Sequence, residues 1–243
     1  IPSRMQAGML ILSGDVLFLF SCFQVNLQYV DSAAISTKAT IAEGICHGVF
    51  VTDKDNYVKK FLHKQPEQVL ENQNAIDKNG FVDIDTGAVY FNSKIVEELY
   101  NLISENGKTN NAKFNEFANE NVRISLYNDF VYVLSKEATL ESYLKEQPEG
   151  KFSKELIECR KKIWNRLGKY TMKVIKTYPS KFIHLGTNAE FLKFLNSDKK
   201  IFNDWNLERN VLCNIKGKSF TTNTSYIDEN TIVGDGCYIE HSR

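Results

Sequence analysis

The side chains of this sequence that are best suited to chemistry stand where apolar segments end. Asp15 follows the apolar run at residues 9–12, after Ser13 and Gly14. An aspartate at the end of a strand can hold Mg²⁺ against the phosphates of a nucleotide, and a preceding glycine lets the backbone pass close to the ligand. The segment therefore predicts a metal and phosphate site, with a plain Gly-Asp turn as the alternative.

Further charged groups end or interrupt other apolar segments. Lys64 ends one of them and could bind a sugar phosphate, with a solvated lysine as the alternative. Asp83 and Asp85 lie inside an apolar strand, where carboxylates are costly unless they are paired or bound to a ligand. Because side chains alternate along a strand, the two acids share one face, and Thr86 and Gly87 would let a ligand approach.

Two polar groups are ambiguous in the same way. His184, Gly186 and Thr187 lie directly before a predicted helix, whose free N–H groups and dipole favour anions. His184 could therefore bind phosphate or a metal, and a structural histidine is the alternative. Asn128 and Asp129 follow the apolar residues 124–126 and could either line a ligand site or end a strand.

Strand and helix signals alternate along most of the chain, which predicts an α/β sheet protein. Strands are predicted at residues 8–12, 33–37, 48–52, 58–62, 81–91, 173–178 and 181–184. Helices are predicted to begin near Pro66, at Ser93 and at Ser153, to end at Gly168, and to open with a capping box from Thr187 to Glu190. We expect a mainly parallel sheet whose strand ends bring four residues to one side: Asp15, Lys64, Asp85 and His184.

The periodicity of the apolar residues changes after about residue 210. Ile227, Val233 and Ile239 recur every six residues. A six-residue period with an apolar residue in each step is typical of a left-handed parallel β-helix, in which each triangular coil uses one six-residue step per side. We therefore predict an α/β domain over residues 1–209 and the start of a β-helix over residues 210–243, with chance β-turns as the alternative.

The composition is that of a globular protein. Of the 243 residues, 42% are hydrophobic, and 30 basic side chains balance 30 acidic ones. This balance argues against disorder and against nucleic-acid binding. No apolar stretch approaches the roughly 20 residues of a membrane helix, so no membrane association is predicted.

The cysteines favour a reducing compartment. Five are present, at positions 22, 46, 159, 213 and 237, and no two have C-x-x-C spacing. This pattern argues against a disulfide framework and a zinc site, and for a cytoplasmic protein. There is also no serine or cysteine triad, GxGxxG segment or Walker loop.

Seven segments, taken in order, resemble the fucose-1-phosphate guanylyltransferase family, also called GDP-fucose pyrophosphorylase. They are residues 12–17 (LSGDVL), 47–50 (HGVF), 61–64 (FLHK), 83–90 (DIDTGAVY), 127–130 (YNDF), 182–187 (FIHLGT) and 238–243 (YIEHSR). The resemblance implies the Rossmann-like domain of the sugar-1-phosphate nucleotidyltransferases, here partial, followed by a left-handed β-helix. It also implies a possible fused fucokinase domain.

The resemblance also implies roles for the candidate residues. Asp15 would be a catalytic residue and the Mg²⁺ ligand, and Lys64 would be the catalytic lysine that binds the sugar phosphate, although Gln65 separates it from the family's usual proline. The substrate-binding set would be Asp85, Thr86, Gly87, Asn128, Asp129, His184, Gly186 and Thr187. His184 stands where the wider superfamily has a second metal-binding aspartate, so a metal role transfers poorly to it.

The reaction implied by the resemblance is Mg²⁺-dependent and joins GTP and fucose-1-phosphate into GDP-fucose and pyrophosphate. The superfamily's G-G-x-S-x-R-x-P nucleotide loop does not occur in the sequence; we expect it upstream of Ile1, and we expect this chain alone to be inactive. The alternative is a non-catalytic module that binds a sugar nucleotide or serves assembly. A hexapeptide-repeat acyltransferase is a weaker alternative, because such enzymes devote far more of their length to six-residue repeats.

Overall fold

The computed structural model describes residues 4–195, together with 201–202, 205, 220–221, 232 and 238–239. The chain divides into two compact units. The larger comprises Ile1–Ser13 and Phe20–Ser180, and the smaller comprises Gly14–Leu19 and Lys181–Arg243. The predicted domain boundary at residues 209–210 lies outside the described residues and stays a prediction.

The strands and helices have the following bounds. The strands are β1 (Gly8–Leu12), β2 (Val16–Leu19), β3 (Ser32–Thr40), β4 (Gly48–Thr52), β5 (Val58–His63), β6 (Phe81–Asn92), β7 (Ser104–Glu105), β8 (Lys108–Thr109), β9 (Met172–Lys176), β10 (Lys181–His184), β11 (Phe220–Thr221) and β12 (Tyr238–Ile239). The α-helices are α1 (Ile41–Gly44), α2 (Glu67–Asn72), α3 (Ser93–Ile103), α4 (Asn111–Phe117), α5 (Leu140–Lys145), α6 (Lys154–Leu167) and α7 (Asn188–Leu195). A π-helix covers Leu126–Val131, and short 3₁₀ helices cover Cys22–Gln24 and Tyr132–Leu134.

The larger unit is built on a six-stranded mixed sheet. Its order is β5-β4-β6-β3-β9, and β1 pairs with the second half of β6, from Ala88 to Asn92. Strand β6 is therefore central, as its long apolar run predicts, and nearly all of it is buried. The expectation of a mixed α/β architecture is confirmed.

The prediction of a mainly parallel sheet is wrong. Among the described strands of this sheet, β3 and β9 form the parallel pair, and the other pairings are antiparallel. One of the antiparallel pairs is a hairpin between β4 and β5, in which Asp53 Oδ1 accepts hydrogen bonds from the N–H groups of Asp55 and Tyr57, both at 2.9 Å. Such a short turn reverses the chain and joins antiparallel strands without a crossover helix.

The core of the larger unit lies between the sheet and the helices. Ile95 of α3 and Ile163 and Leu167 of α6 are fully buried and pack with Val89 and Phe91 of β6. Burying a side chain of this size contributes about 1.5–3 kcal/mol each. Helix α6 begins after Ser153 and ends at Gly168, as predicted.

The smaller unit contains an antiparallel pair of β2 and β10, the helix α7, and a parallel pair of β11 and β12. The predicted capping box is confirmed, because the N–H of Glu190 donates to Thr187 Oγ1 and the N–H of Thr187 donates to Glu190 Oε2. Of the six-residue repeat, Ile227 and Val233 lie outside the described residues, so the β-helix stays a prediction. In the described part of the chain, no helix combines the length and the hydrophobicity needed to span a bilayer.

Helix α3 begins one residue earlier than its sequence predicts. The cap is Asn92, whose Oδ1 accepts from the N–H of Ile95 at 3.0 Å, and Ser93 is the exposed first residue of the helix. We expect Asn92→Ala to lower the free energy of unfolding by about 1 kcal/mol or more, because a helix N–H loses its acceptor. The matched control, Ser93→Ala, should change it by less than about 0.5 kcal/mol. Urea denaturation measures both, and a larger loss for Ser93→Ala would contradict this assignment of the cap.

Candidate functional site

The segment Asp85-Thr86-Gly87 forms a bulge in the central strand. Ser36 of β3 pairs with Asp85, and the preceding residue of β3, Ile35, pairs with Ala88, so Thr86 and Gly87 are additional residues on β6. Bulges bend a strand, re-aim its side chains and are frequent beside active sites. The structure thus shows a local irregularity at a place where the sequence predicted ligand contact.

The bulge is held by hydrogen bonds from its own residues. Thr86 Oγ1 donates to the carbonyl of Ile35 at 2.7 Å, the N–H of Gly87 donates to Asp85 Oδ2 at 3.0 Å, and the N–H of Ser13 donates to the Gly87 carbonyl at 2.9 Å. Gly87 has a φ of +74°, and a Cβ at this position would lie 2.4 Å from Ser13 Oγ. Only glycine fits this backbone without strain.

Asp85 is a buried carboxyl group with a raised pKa. The residue is 6% exposed, and burial raises the pKa of its carboxyl to about 6, although the Tyr127 hydroxyl and the N–H groups of Gly87 and Thr86 act in the opposite direction. Its Oδ1 atom is buried without a hydrogen-bond partner. Apart from the nearby Tyr127 hydroxyl, the Oδ1 atom has an acceptor position of the kind that a hydroxyl group of a ligand fills.

Asp83, the other acid of this strand, is already paired. Its Oδ2 atom lies 2.6 Å from Lys176 Nζ, and Lys176 also donates to Thr52 Oγ1 at 3.2 Å. The expectation that an acid inside an apolar strand needs a partner is met for Asp83 by an ion pair.

An aromatic cluster lies beside Asp85. The ring of Tyr127 stacks on those of Phe61 and His63, with centroids 5.9 and 5.5 Å apart. Gly48 leaves room for this arrangement, since a Cβ on it would lie 2.3 Å from Phe61 Cζ and 3.5 Å from the Cβ of Asp85. Asp85 therefore lies close to the Phe61 ring and is buried.

His63 and Asn128 extend this cluster. Burial and, secondly, the neighbouring Lys64 lower the pKa of His63, while a hydrogen bond with the Asn128 side chain acts in the opposite direction. Asn128 Nδ2 also donates to the carbonyl of Gln147 at 3.1 Å. Two of the predicted site residues, Asp85 and Asn128, are thus brought together through side chains that were not singled out.

The two residues that the sequence reasoning missed are His63 and Tyr127. Each lies inside a segment that carries the family resemblance, at residues 61–64 and 127–130, next to a residue that was singled out. Their place beside Lys64 and Asn128 in these segments is the signal by which the sequence could have identified them. Their closeness to Asp85 depends on contacts between distant parts of the chain.

Lys64 is exposed at the end of β5 in an unusual backbone conformation. Its φ is +50°, and its N–H donates to the carbonyl of His47 at 3.0 Å. A residue other than glycine, asparagine or aspartate in this region is strained, so the position is held by its surroundings. Its predicted contact with a sugar phosphate stays a prediction.

Asp129 is part of a buried ion pair. The expected strand end at residues 124–126 is wrong, because Asp129 lies in the π-helix of Leu126–Val131. Its Oδ1 accepts from Arg160 Nε at 2.8 Å, and its Oδ2 accepts from the N–H of Ser125 at 2.8 Å. Burial raises the pKa of Asp129, and these partners act against that rise. The pair gives Asp129 a structural role, and its predicted substrate contact stays a prediction.

The smaller unit brings Asp15 and His184 together. His184 Nε2 lies 3.4 Å from Asp15 Oδ2, and its Nδ1 lies 3.6 Å from Glu190 Oε1. The N–H of Leu185 donates to the Asp15 carbonyl at 2.7 Å. A Cβ on Gly186 would lie 2.4 Å from His184 Cε1, so glycine leaves the space that the imidazole occupies.

Asp15 stands partly in solvent, and the Mg²⁺ role predicted for it stays a prediction. Within the residues described by the structure, no group of three or more His, Cys, Asp or Glu side chains is arranged to hold a metal ion. The Asp15 side chain is 50% exposed, and Mg²⁺ often uses one or two protein carboxylates while substrate phosphates and water complete its shell. Asp15 and His184 belong to the smaller unit and Lys64 and Asp85 to the larger one, so the single predicted site stays a prediction.

Comparisons with known proteins cover the whole chain. A family model described as the fucose pyrophosphorylase domain matches residues 1–243. The human fucose-1-phosphate guanylyltransferase is 25% identical over 269 residues, covering 100% of this chain and 44% of that protein, and the mouse protein of the same name is 24% identical, covering 46% of its length. The bifunctional fucokinase/GDP-fucose pyrophosphorylase of Arabidopsis thaliana is 27% identical over 204 residues, covering 79% of this chain and 18% of that protein. The chain spans less than half the length of these relatives.

The raised pKa of Asp85 makes a prediction about stability. A carboxyl group that is harder to ionise in the folded state stabilises the fold below its unfolded pKa, and the fold loses that stabilisation as the pH rises through the folded value. Because burial raises the Asp85 pKa from its ordinary 3.8 to about 6, the wild-type protein should lose up to about 3 kcal/mol of unfolding free energy as the pH rises, relative to Asp85→Asn, which cannot ionise. Urea denaturation of both proteins between pH 4 and 7 measures this difference.

The matched control is Asp77→Asn. Its partner Lys38 lowers the pKa of Asp77 to about 2, so the stabilisation that Asp77 gives is lost only in acid below pH 4. The difference in unfolding free energy between Asp77→Asn and the wild type should therefore stay constant between pH 4 and 7. A flat difference for Asp85→Asn as well would show that Asp85 is ionised throughout that range.

Proposed function

Because the chain belongs to the fucose pyrophosphorylase family, we propose that it carries the guanylyltransferase activity for which its relatives are named. The reaction would convert fucose-1-phosphate and GTP into GDP-fucose and pyrophosphate. Its support is the family match over all 243 residues and the bulge that presents a buried, incompletely hydrogen-bonded Asp85.

The proposed reaction depends mainly on how the two substrates are positioned. An oxygen of the sugar phosphate attacks the α-phosphorus of GTP, and the bond from that phosphorus to the β-phosphate oxygen breaks, so that pyrophosphate leaves with the bonding electrons. The attacking oxygen is already anionic, so no residue has to remove a proton. The protein then accelerates the reaction by holding the two anions in line and by offsetting their charge.

In this proposal the larger unit binds the sugar phosphate. The open Oδ1 of Asp85 would accept a hydrogen bond from a sugar hydroxyl group, and the bulge at Thr86 and Gly87 would let the sugar ring approach the backbone. Asn128 would contribute its amide from the adjoining π-helix, with Asp129 beneath it. Lys64, exposed at the end of its strand, would offset the phosphate charge.

In the smaller unit, Asp15 would hold Mg²⁺ and His184 would stand against its carboxylate. Bound Mg²⁺ would offset the negative charge of the phosphates. The Thr187 cap at the start of α7, directly after Gly186, would leave the remaining helix N–H groups for an anion.

The final residues are proposed to begin a left-handed β-helix. Strands β11 and β12 are parallel, and Phe220 pairs with Tyr238, which lies 18 residues further along the chain. Eighteen residues are three six-residue steps, the length of one triangular coil. This spacing supports the repeat that Ile227, Val233 and Ile239 indicate.

The sugar-phosphate contact can be tested at Lys64. Lys64→Asn removes the amine and puts in a residue that tolerates a positive φ, so a loss of binding is not a result of backbone strain. Titration calorimetry with fucose-1-phosphate should show affinity lower by about 10- to 100-fold, as expected for the loss of a charge-assisted hydrogen bond. Lys54→Asn, at an exposed lysine in the hairpin turn, is the control and should bind normally. Equal affinity of the Lys64 variant and wild type would remove Lys64 from the site.

The metal contact can be tested at Asp15. In the longest natural polypeptide that contains this chain, Asp15→Asn keeps the shape of the side chain and removes its charge. We expect turnover, measured as pyrophosphate release, to fall at least about 100-fold. Asp55→Asn, at an exposed acid of the hairpin turn, is the control. Near-normal turnover of the Asp15 variant at saturating Mg²⁺ would exclude Asp15 from the mechanism.

A further inference from the structure

A buried arginine lies below the candidate site in the larger unit. Arg160 of α6 is 0% exposed. Its Nε donates to Asp129, and its Nη1 donates to the carbonyls of Tyr143 and Glu146 at 3.2 and 2.6 Å. It thereby joins α6, the end of α5 and the π-helix.

A buried ion pair of this kind is weak evidence for a role in stability. Taking two charges out of water costs several kcal/mol per ion, and well-packed apolar side chains in place of a buried ion pair are often as stable. Arg160 Nη2 is also buried without a hydrogen-bond partner, so the guanidinium is not fully compensated. The other effect that such a buried pair can have is to fix the geometry of the segments that it joins.

The geometry it imposes is that of the π-helix. Asp129 receives Arg160 on one carboxylate oxygen and the N–H of Ser125 on the other, while the Tyr143 hydroxyl donates to the Asp129 carbonyl at 3.0 Å. Hydrogen bonds therefore fix both the side chain and the backbone carbonyl of Asp129. Single π-helical turns are rare and are frequent at functional sites.

The residues just before Asp129 are those that meet the candidate site. The Tyr127 ring stacks on that of His63 with centroids 5.5 Å apart, the Tyr127 hydroxyl lowers the pKa of the Asp85 carboxyl group, and the Asn128 side chain raises the pKa of His63. Since they precede Asp129 by two residues and one residue, a rotation of the π-helix would move both away from their partners.

We propose that Arg160 is a positioning residue that acts through Asp129, holding the π-helix in the orientation in which the Tyr127 ring stacks on those of Phe61 and His63, close to Asp85. The consequence for sugar-phosphate binding rests on the proposed function. The consequence for the position of Tyr127 beside Asp85 is independent of the proposed function.

The test is the titration of Asp85 itself, followed by ¹³C NMR of the aspartate carboxyl carbons in this chain. The signal is identified by its loss in Asp85→Asn. The titratable groups around it are Tyr127 on the π-helix, His63 on β5 and the ion-paired Asp83 on β6. Tyr127→Phe removes the hydroxyl that favours the charged form of Asp85 and should raise the Asp85 pKa by about one pH unit.

Arg160→Met should raise the pKa of Asp85 in the same direction, because Tyr127 is no longer held against it. The double variant, with Tyr127→Phe, should show no more than the larger single effect, since both changes act through one contact. Arg166→Met is the matched control: this arginine lies on the same helix, is half-exposed and pairs with Glu98, and its variant should titrate like wild type. Additive shifts, or an unchanged Asp85 in folded Arg160→Met, would overturn the proposal.

A milder variant keeps the test usable if Arg160→Met does not fold. Arg160→Lys retains the charge but loses the planar fork, and should shift Asp85 in the same direction by a smaller amount. An Asp85 titration identical to wild type in folded Arg160→Lys would count against the proposal in the same way.

A second measurement separates this proposal from the proposed function. Fucose-1-phosphate should bind about tenfold more weakly to Arg160→Met and to Tyr127→Phe than to wild type. The affinity of the double variant should equal that of the single variant with the lower affinity. If wild type does not bind fucose-1-phosphate, the proposed function fails, while the coupling of Arg160 to Asp85 is still decided by the NMR titration.

Discussion

The register of the central strand is the constraint on which the larger unit depends. Strand β6 pairs with β3 along its length, with β1 over its second half and with β4 over its first, so its position fixes those of its neighbours. Its two additional residues, Thr86 and Gly87, have to be accommodated inside this buried array. The cost is met by hydrogen bonds within the bulge, and the result is that Asp85 stands beside the aromatic rings of Phe61 and Tyr127.

Two buried carboxyl groups in this unit are compensated in different ways. Asp129 has a guanidinium group and a backbone N–H, so its negative charge is matched by a positive one. Burial raises the pKa of both carboxyl groups, and at Asp85, whose donors are neutral, it raises the pKa to about 6. The first arrangement suits a fixed structural pair. The second leaves a group that can change its protonation near neutral pH and can accept a new partner, which is a common property of ligand sites.

The smaller unit follows a different design, in which charged groups stand partly in water. Asp15, His184 and Glu190 are all at least one-third exposed, and their separations of 3.4 and 3.6 Å are long for hydrogen bonds. Such groups can exchange partners at little cost, because water already solvates them. This is compatible with a carboxylate that takes part in metal and phosphate binding, and it contrasts with the fixed network around Arg160.

What the sequence determined by itself are the features with local causes. The strands of the central sheet, the start of α6 at Ser153 and the capping box at Thr187 follow from side-chain alternation and from caps, which act over a few residues. The family segments also identified Asp85 and Asn128 as neighbours of a possible ligand. Tertiary structure alone decided the antiparallel order of the sheet, the π-helix around Asp129, and the meeting of Tyr127 and His63 with Asp85. Each of these depends on the pairing of segments that are far apart in the chain, as Arg160 and Asp129 are, and no local propensity carries that information.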